Sequence, residues 1–160
     1  TADVTVGVGT TATTFRTVDG ATQNNFGGVM KEDCAIIGAK AADANIDLAK
    51  GNVQYFTTNG TGATTAALIY AGGNNISNWM ALGDNVSVSL ITLPDNAEYI
   101  NAVTIDGGAV TEEWSGGSTP AAASGAASSV TITTINITRI ATTGTPNSDY
   151  LVLCSVTNYA

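Results

Sequence analysis

Histidine is absent from this chain of 160 residues, and charged residues of both signs make up only 11% of it. Without histidine the chain lacks the commonest general base, the usual zinc ligand and the ordinary switch near neutral pH. Thirteen acidic and five basic residues give a formal net charge of -8. This balance argues against nucleic acid and against an anionic membrane surface as partners, because both are bound by clustered lysine and arginine.

Cysteine is also scarce. Cys34 and Cys154 are too few for a disulfide framework and are not spaced as Cys-x-x-Cys. The apolar neighbours of Cys154 favour a buried, inert thiol, although a single bridge between the two cysteines stays open. No apolar run approaches the roughly 20 residues that span a bilayer. The N-terminus has no signal-peptide pattern, and we interpret Thr1 either as a processed terminus or as the start of a fragment.

The shortage of charge is the most informative feature of the composition, since an average domain has about 25% charged residues. Threonine, serine, asparagine and glycine take their place. Such a surface can be buried against another protein without leaving many charged side chains buried and unpaired. The composition therefore favours close assembly with copies of the chain or with other subunits, and a threonine-rich secreted β domain fits it about equally well.

Apolar and polar residues alternate with a period of two along most of the chain, which is typical of half-buried strands. Asp106-Gly107-Gly108 predicts a hairpin turn between two of them. Thr133 to Ile135 breaks the alternation of its strand, which indicates a bulge or a strand buried on both faces. Residues 77–82 are expected to form one helical turn with Trp79 and Met80 facing inward. Many short strands joined by Gly, Pro and Asn turns predict an all-β fold, namely an antiparallel β-sandwich that is jelly-roll-like.

The large apolar residues are unevenly distributed, so we divide the chain near residue 44. Residues 1–44 are expected to form an N-terminal arm or accessory strands, and residues 45–160 the β-sandwich domain. Twelve side chains are expected to build its core: Val53, Tyr55, Leu68, Trp79, Val86, Val88, Leu90, Val103, Ile105, Ile132, Leu151 and Leu153.

We find no pattern that indicates catalysis, and we expect no enzyme, no catalytic residues and no cofactor. Glu112 and Glu113 are adjacent on a predicted strand and therefore point to opposite faces, so they cannot act together on one bond. Lys31, Lys40 and Lys50 lack a Ser-x-x-Lys partner that would activate a nucleophile. No metal site is predicted, although calcium stays open because Asp and Asn recur in the loops, where they more commonly stabilise turns.

Two aromatic residues are candidates for a ligand or interface site. Trp114 ends a predicted strand at the mouth of the Gly/Ser/Ala-rich segment 115–129, and Tyr99 begins another strand. Trp114 is interpreted first as an anchor for that loop, because large aromatic side chains bury much area. The alternative is that Trp114 or Tyr99 forms part of a surface that stacks on sugar rings.

Five segments occur in an order that carries a family resemblance: 45–56, 83–88, 103–107, 114–120 and 151–160. The most distinctive is Trp114-Ser115-Gly116-Gly117-Ser118-Thr119-Pro120. Together they resemble the C-terminal β-sandwich module of virion proteins of tailed bacteriophages, especially fibre-type proteins of marine and cyanobacterial phages. The resemblance implies a non-catalytic, commonly trimeric component of the virion surface.

From the resemblance and the composition we expect a bacteriophage structural protein at the virion surface, as a capsid decoration or tail fibre component. Its expected partners are two further copies of itself, in a homotrimer, and other virion proteins. The alternative is a carbohydrate-binding adhesin or receptor-binding domain whose partner is a host-surface glycan.

Overall fold

A computed structural model of the chain describes residues 34–39, 43–58, 63–71, 73–93, 99–120 and 130–159. All of them belong to one compact unit, residues 32–160. The expectations for residues 1–33 lie outside this part of the chain. Within the segment predicted as an arm, residues 34–39 and the start of the next strand take part in the two sheets described below.

Ten strands and three short helical turns make up the described part of the chain. The strands are β1 (Cys34–Ala39), β2 (Asp43–Asp47), β3 (Val53–Thr58), β4 (Ala63–Ile69), β5 (Asn85–Thr92), β6 (Tyr99–Ile105), β7 (Gly108–Ala109), β8 (Glu112–Trp114), β9 (Val130–Arg139) and β10 (Tyr150–Tyr159). The helical turns are the 3₁₀ turns Leu48–Lys50 and Ile76–Asn78 and the α-helical turn α1 (Pro146–Asp149).

The strands form two sheets, which confirms the prediction of an all-β fold. The six-stranded sheet has the order β1-β3-β5-β9-β10-β8, and the four-stranded sheet has the order β2-β4-β6-β7. From β1 to β6, successive strands alternate between the two sheets. A strand and its neighbour within one sheet are therefore two positions apart in the chain.

The prediction of antiparallel pairing is wrong for most of the described strand pairs. Five pairs are parallel (β1-β3, β3-β5, β2-β4, β4-β6 and β8-β10), and three are antiparallel (β5-β9, β9-β10 and β6-β7). A hairpin joins neighbouring strands in opposite directions. Here each early connection crosses to the other sheet, so that the next strand of the first sheet arrives in the same direction as the previous one.

The hairpin turn between β6 and β7 is confirmed. Asp106 and Gly107 both adopt positive φ, 53° and 76°, as a two-residue hairpin turn of this type requires. The predicted bulge in β9 is wrong, because its pairing with β5 and with β10 continues without a shift. The alternative of burial on both faces is wrong as well, since the outward residues of β9, such as Ile132 and Thr134, are only half-buried. Thr131 and Thr133 simply occupy inward positions, in line with Ile135 further along the strand.

One hydrophobic cluster takes side chains from both sheets. Six of the predicted core residues are buried in it: Leu68, Val86, Val88, Leu90, Val103 and Ile105. They lie on strands whose alternation of apolar and small polar residues leaves one choice of inward face.

Three of the predicted core residues are wrong, since they are exposed. Leu151 and Leu153 are 40% and 45% exposed, and Val152 and Cys154 are buried in their place. All four residues are apolar, so the alternation of β10 could not be assigned from hydrophobicity. Trp79 is 42% exposed, because the turn that precedes it directs Met80 into the core and leaves the indole outside.

The other three predicted core residues are Val53, Tyr55 and Ile132. They are half-buried on the face of their strands that points away from the core. Val53 and Tyr55 of β3 point away, and Gln54 and Phe56 are buried instead. Gln54 tolerates burial because its Nε2 donates to the carbonyl oxygens of Asp47 and Gly51, at 2.9 and 3.1 Å. Ile132 of β9 is likewise half-buried, on the outward side.

Candidate functional site

The outward side of the six-stranded sheet, called here the outer face, is almost free of charge. The pairing register assigns side chains to this side, and among the described strands only Glu113 brings a charge to it. On β3, β5, β9 and β10 the outer face consists of Val53, Tyr55, Thr57, Asn85, Ser87, Ser89, Ile91, Val130, Ile132, Thr134, Asn136, Thr138, Leu151, Leu153, Ser155, Thr157 and Tyr159, together with the Cys34, Ile36 and Gly38 positions of β1.

Cross-strand hydrogen bonds pair some of the polar groups of the outer face. Asn85 Nδ2 donates to Thr138 Oγ1 at 2.6 Å, and the Ser87 hydroxyl donates to Asn136 Oδ1. Between these pairs and β8 lie the exposed side chains of Leu151 and Leu153. The outer face thus combines neutral paired polar groups with exposed apolar area.

A shallow depression of about 370 Å³ lies at the β8 edge of the outer face, lined by Glu113, Trp114, Ser115, Asn136, Leu153, Cys154 and Ser155. Trp114 is 9% exposed, and its indole N–H has no hydrogen-bond partner within the described part of the chain. Burial, with a smaller contribution from the charge of Glu112, raises the pKa of the Cys154 thiol to about 12. This thiol is therefore chemically inert. Cys34 is exposed, and both cysteines are free.

The structure does not bring the two predicted site residues to one sheet. Trp114 ends β8 in the six-stranded sheet, and Tyr99 begins β6 in the four-stranded sheet, with its side chain outside the described atoms. A ligand role for this pair stays a prediction. Glu112 and Glu113 do point to opposite sides, as predicted, and the inward Glu112 accepts a hydrogen bond from the backbone N–H of Val103.

A second feature, called here the end cleft, lies where the β6–β7 turn, the end of β9 and the start of β10 meet. Its volume is about 330 Å³, and it is lined by Asn75, Ser77, Asn78, Asp106, Arg139, Thr142, Gly144, Pro146, Asp149 and Tyr150. Most of these side chains are polar, and both signs of charge are present.

Asp106 and Arg139 hold one wall of the end cleft in place. The Asp106 carboxylate accepts hydrogen bonds from the backbone N–H groups of Ile76 and Ser77, at 2.5 and 3.1 Å. Arg139 Nη1 donates to the carbonyl oxygen of Ser77 at 2.5 Å and to that of Met80. The 3₁₀ turn Ile76–Asn78 is therefore bound at its N-terminus by the carboxylate of Asp106 and at its carbonyl end by the guanidinium of Arg139.

Asp149 holds the opposite wall. Its carboxylate accepts from the backbone N–H and the hydroxyl of Thr143, at 2.6 and 2.8 Å, and from the backbone N–H of Gly144 at 2.9 Å. Burial raises the pKa of Asp149, but these hydrogen bonds and the charge of Arg139 outweigh it and hold that pKa below its ordinary value. Asp149 thus remains ionised in spite of being buried.

Tyr150 lies next to Asp149 and is only 4% exposed. Its hydroxyl is buried and has no hydrogen-bond partner within the described part of the chain. Burial raises the pKa of Tyr150, and the negative charge of Asp106 raises it further. The phenol therefore stays neutral and keeps its proton, which it can donate.

Sequence reasoning did not identify the end cleft. The hairpin pattern predicts Asp106 as a turn residue only, the common role of loop Asp residues predicts a turn role for Asp149, and no pattern indicates Arg139. Asp84 does serve a turn, accepting from the backbone N–H of Ala81 at 2.7 Å. The residues that line the end cleft come from three segments, 75–78, 106 and 139–150, and no pattern of spacing along the chain predicts that they meet.

Among the described residues, no group of three or more acidic or cysteine side chains is placed to hold a metal ion. The same part of the chain contains no helix with the length and apolar character needed to cross a membrane. Comparison with protein-family models, with curated proteins and with solved structures gives no significant match.

Proposed function

We propose that this chain is a non-enzymatic structural protein of the bacteriophage virion surface, a capsid decoration or fibre component, that acts by assembling into a homotrimer. In this proposal the two sheets pack face to face as a sandwich, and the outer face contacts the neighbouring copy. The sequence resemblance supports the class of protein. The observation that carries the mode of action is the outer face, on which the described strands place a single charged residue.

Charge is the first reason to place the contact on the outer face. Each copy carries a formal net charge of -8, so copies repel one another wherever their carboxylates approach. Among the described residues the outer face holds one carboxylate, that of Glu113, and its polar groups are neutral. A copy that contacts its neighbour through this face buries few of its own ions and adds little charge of its own to the contact.

Area is the second reason. The six strands hold 43 residues, and at about 3.3 Å per residue with strands about 4.8 Å apart they give a face of roughly 680 Å². That is close to the ~800 Å² that one partner contributes to a specific interface. Burying the exposed parts of Leu151 and Leu153 adds roughly 1 kcal/mol for each side chain, since full burial of leucine stabilises by about 1.5–3 kcal/mol.

Symmetry sets the form of the contact. A closed ring of three copies uses a head-to-tail interface, in which the outer face of one copy contacts a different surface of the next. Assembly of this kind also covers strand edges that would otherwise pair with other chains. Because the copies share the same sign of charge, added salt is expected to strengthen the association.

Size-exclusion chromatography with light scattering, combined with native mass spectrometry, tests the proposal. We expect a mass about three times 16.1 kDa at micromolar concentration. Leu153→Asp, which puts a carboxylate on the exposed apolar part of the outer face, is expected to give monomers. Leu82→Asp is the matched control, because Leu82 is also exposed but lies in the loop before β5.

A wild-type monomer at micromolar concentration would refute the trimer. A Leu153→Asp variant that forms trimers as stable as those of the wild type would show that the outer face is not the contact. Density for the chain in an intact particle tests the location, and its absence from purified virions would refute a virion role.

A further inference from the structure

The buried hydroxyl of Tyr150 is the feature of the end cleft that its structural role does not explain. A buried polar group without a partner is costly, and native proteins contain few of them. Tyr150 is more than nine-tenths buried, its hydroxyl lacks a partner in the described structure, and its side chain lines the end cleft. A ligand that reaches this hydroxyl from the end cleft would supply the missing hydrogen-bond partner.

The carboxylates of the end cleft have acceptor capacity left over. Each carboxylate oxygen has two lone pairs. Asp106 uses its two oxygens for one backbone N–H each, and Asp149 accepts three hydrogen bonds in all. The side chains of Asn75 and Asn78 add further amide donors and acceptors to the rim.

The charges in the end cleft select the chemistry of the ligand. Two carboxylates oppose a bound anion, and the guanidinium of Arg139 opposes a bound cation. A neutral ligand with several hydroxyl groups meets neither repulsion, since each hydroxyl donates to a carboxylate or accepts from a phenol or amide. The volume of about 330 Å³ lies at the small end of the range for ligand sites, which fits one ring rather than a long chain.

We propose that the end cleft binds a single sugar unit of a neutral glycan, with the Tyr150 hydroxyl, Asp106 and Asp149 as its polar contacts. The proposal goes beyond the structural role given above and does not depend on it, because the end cleft is built within one copy. It also differs from the predicted sugar surface at Trp114 and Tyr99, which uses other residues.

Saturation-transfer difference NMR tests this proposal, with D-glucose, D-galactose, D-mannose and N-acetyl-D-glucosamine as the probes. We expect saturable binding of at least one of them in the millimolar range. Tyr150→Phe removes only the hydroxyl and is expected to weaken that binding about three- to tenfold, the effect of one hydrogen bond. Tyr159→Phe is the matched control, since Tyr159 lies at the far end of the same strand, and it is expected to bind as the wild type does.

Sodium sulfate and calcium chloride are tested in parallel by chemical-shift changes around Tyr150. No saturable binding of any of the four sugars at 50 mM would overturn the proposal. So would equal binding by the wild type and Tyr150→Phe, which would mean that the hydroxyl serves the fold alone. Saturable binding of sulfate or calcium in the cleft without binding of a sugar would also overturn it.

Discussion

Replacement of Asp106 separates two contributions that this residue makes to stability. Its backbone adopts a left-handed conformation, with φ of 53°, in the turn between β6 and β7. Its carboxylate accepts hydrogen bonds from the backbone N–H groups of Ile76 and Ser77, which would otherwise be unpaired at the start of the 3₁₀ turn. Asparagine, glycine and alanine at this position retain different parts of that combination.

The structure ranks the three variants. Asp106→Asn keeps one acceptor oxygen and tolerates the left-handed conformation, so we expect a loss of about 1.5 kcal/mol, the lower figure for one hydrogen bond to a charged group. Asp106→Gly keeps the backbone conformation but loses both hydrogen bonds, about 3 kcal/mol in total. Asp106→Ala adds the cost of placing a Cβ in that conformation, roughly 1 kcal/mol, and is expected to lose about 4 kcal/mol.

Urea unfolding followed by tryptophan fluorescence measures these losses as free energies of unfolding. Trp79 directly follows the 3₁₀ turn, so its signal also reports a local release of the turn, while the buried Trp114 reports the sheet. Asp84→Asn is the control, because Asp84 accepts a single backbone hydrogen bond at an exposed site. Equal losses for the glycine and alanine variants would refute the backbone contribution, and an Asp106→Gly variant as stable as the wild type would refute the hydrogen-bond contribution.

Three further predictions concern other parts of the molecule. Ellman's reagent is expected to label Cys34 of the native protein quickly and Cys154 only after unfolding, because Cys154 is buried with a pKa raised to about 12; rapid labelling of both would contradict its burial. Gly108→Ala would place a Cβ 2.8 Å from Cγ of Pro146 and is expected to destabilise by about 1–3 kcal/mol, measured by urea unfolding, since the proline ring cannot move aside easily. The pKa of Asp149 is depressed in the folded state, so its stabilising effect is present above about pH 4 and is lost as the pH falls further; the stability difference between the wild type and Asp149→Asn should therefore shrink between pH 5 and pH 2.5, and a constant difference would contradict this assignment.

Strands with clear alternation could be predicted from the sequence. In β5, valine and leucine alternate with asparagine and serine, and the inward face of Val86, Val88 and Leu90 is the one observed. The turn at Asp106 and Gly107 was also predictable, because few residue types tolerate positive φ at both positions. In each of these cases the information lies within fewer than ten neighbouring residues.

The direction of strand pairing could not be predicted in the same way. Parallel and antiparallel neighbours present the same alternation of side chains, and the difference lies in where each connection leads. The parallel pairing of β3 with β5 depends on β4 crossing to the other sheet, which no local pattern between residues 59 and 84 specifies. The end cleft escaped prediction for a related reason, since Asp106 and Arg139 are brought together only by the completed sheets.

The register of β10 links the two proposed surfaces. Since the side-chain period of a strand is two, a shift by one residue would bury Leu151 and Leu153 and would turn Tyr150 out of the end cleft. Hydrophobicity does not choose between these registers, because both faces of the first half of β10 are apolar.

Asp149, the residue just before β10, determines which of the two registers forms. The carbonyl oxygen of Asp149 accepts from the backbone N–H groups of Ile140 and Ala141, at 2.8 and 3.3 Å, and its carboxylate is bound to the 143–144 loop. These bonds fix the point at which β10 begins to pair with β9. The exposed leucines of the outer face and the buried hydroxyl of the end cleft therefore follow from one anchored position, and a variant that loosens Asp149 should weaken self-association and sugar binding together.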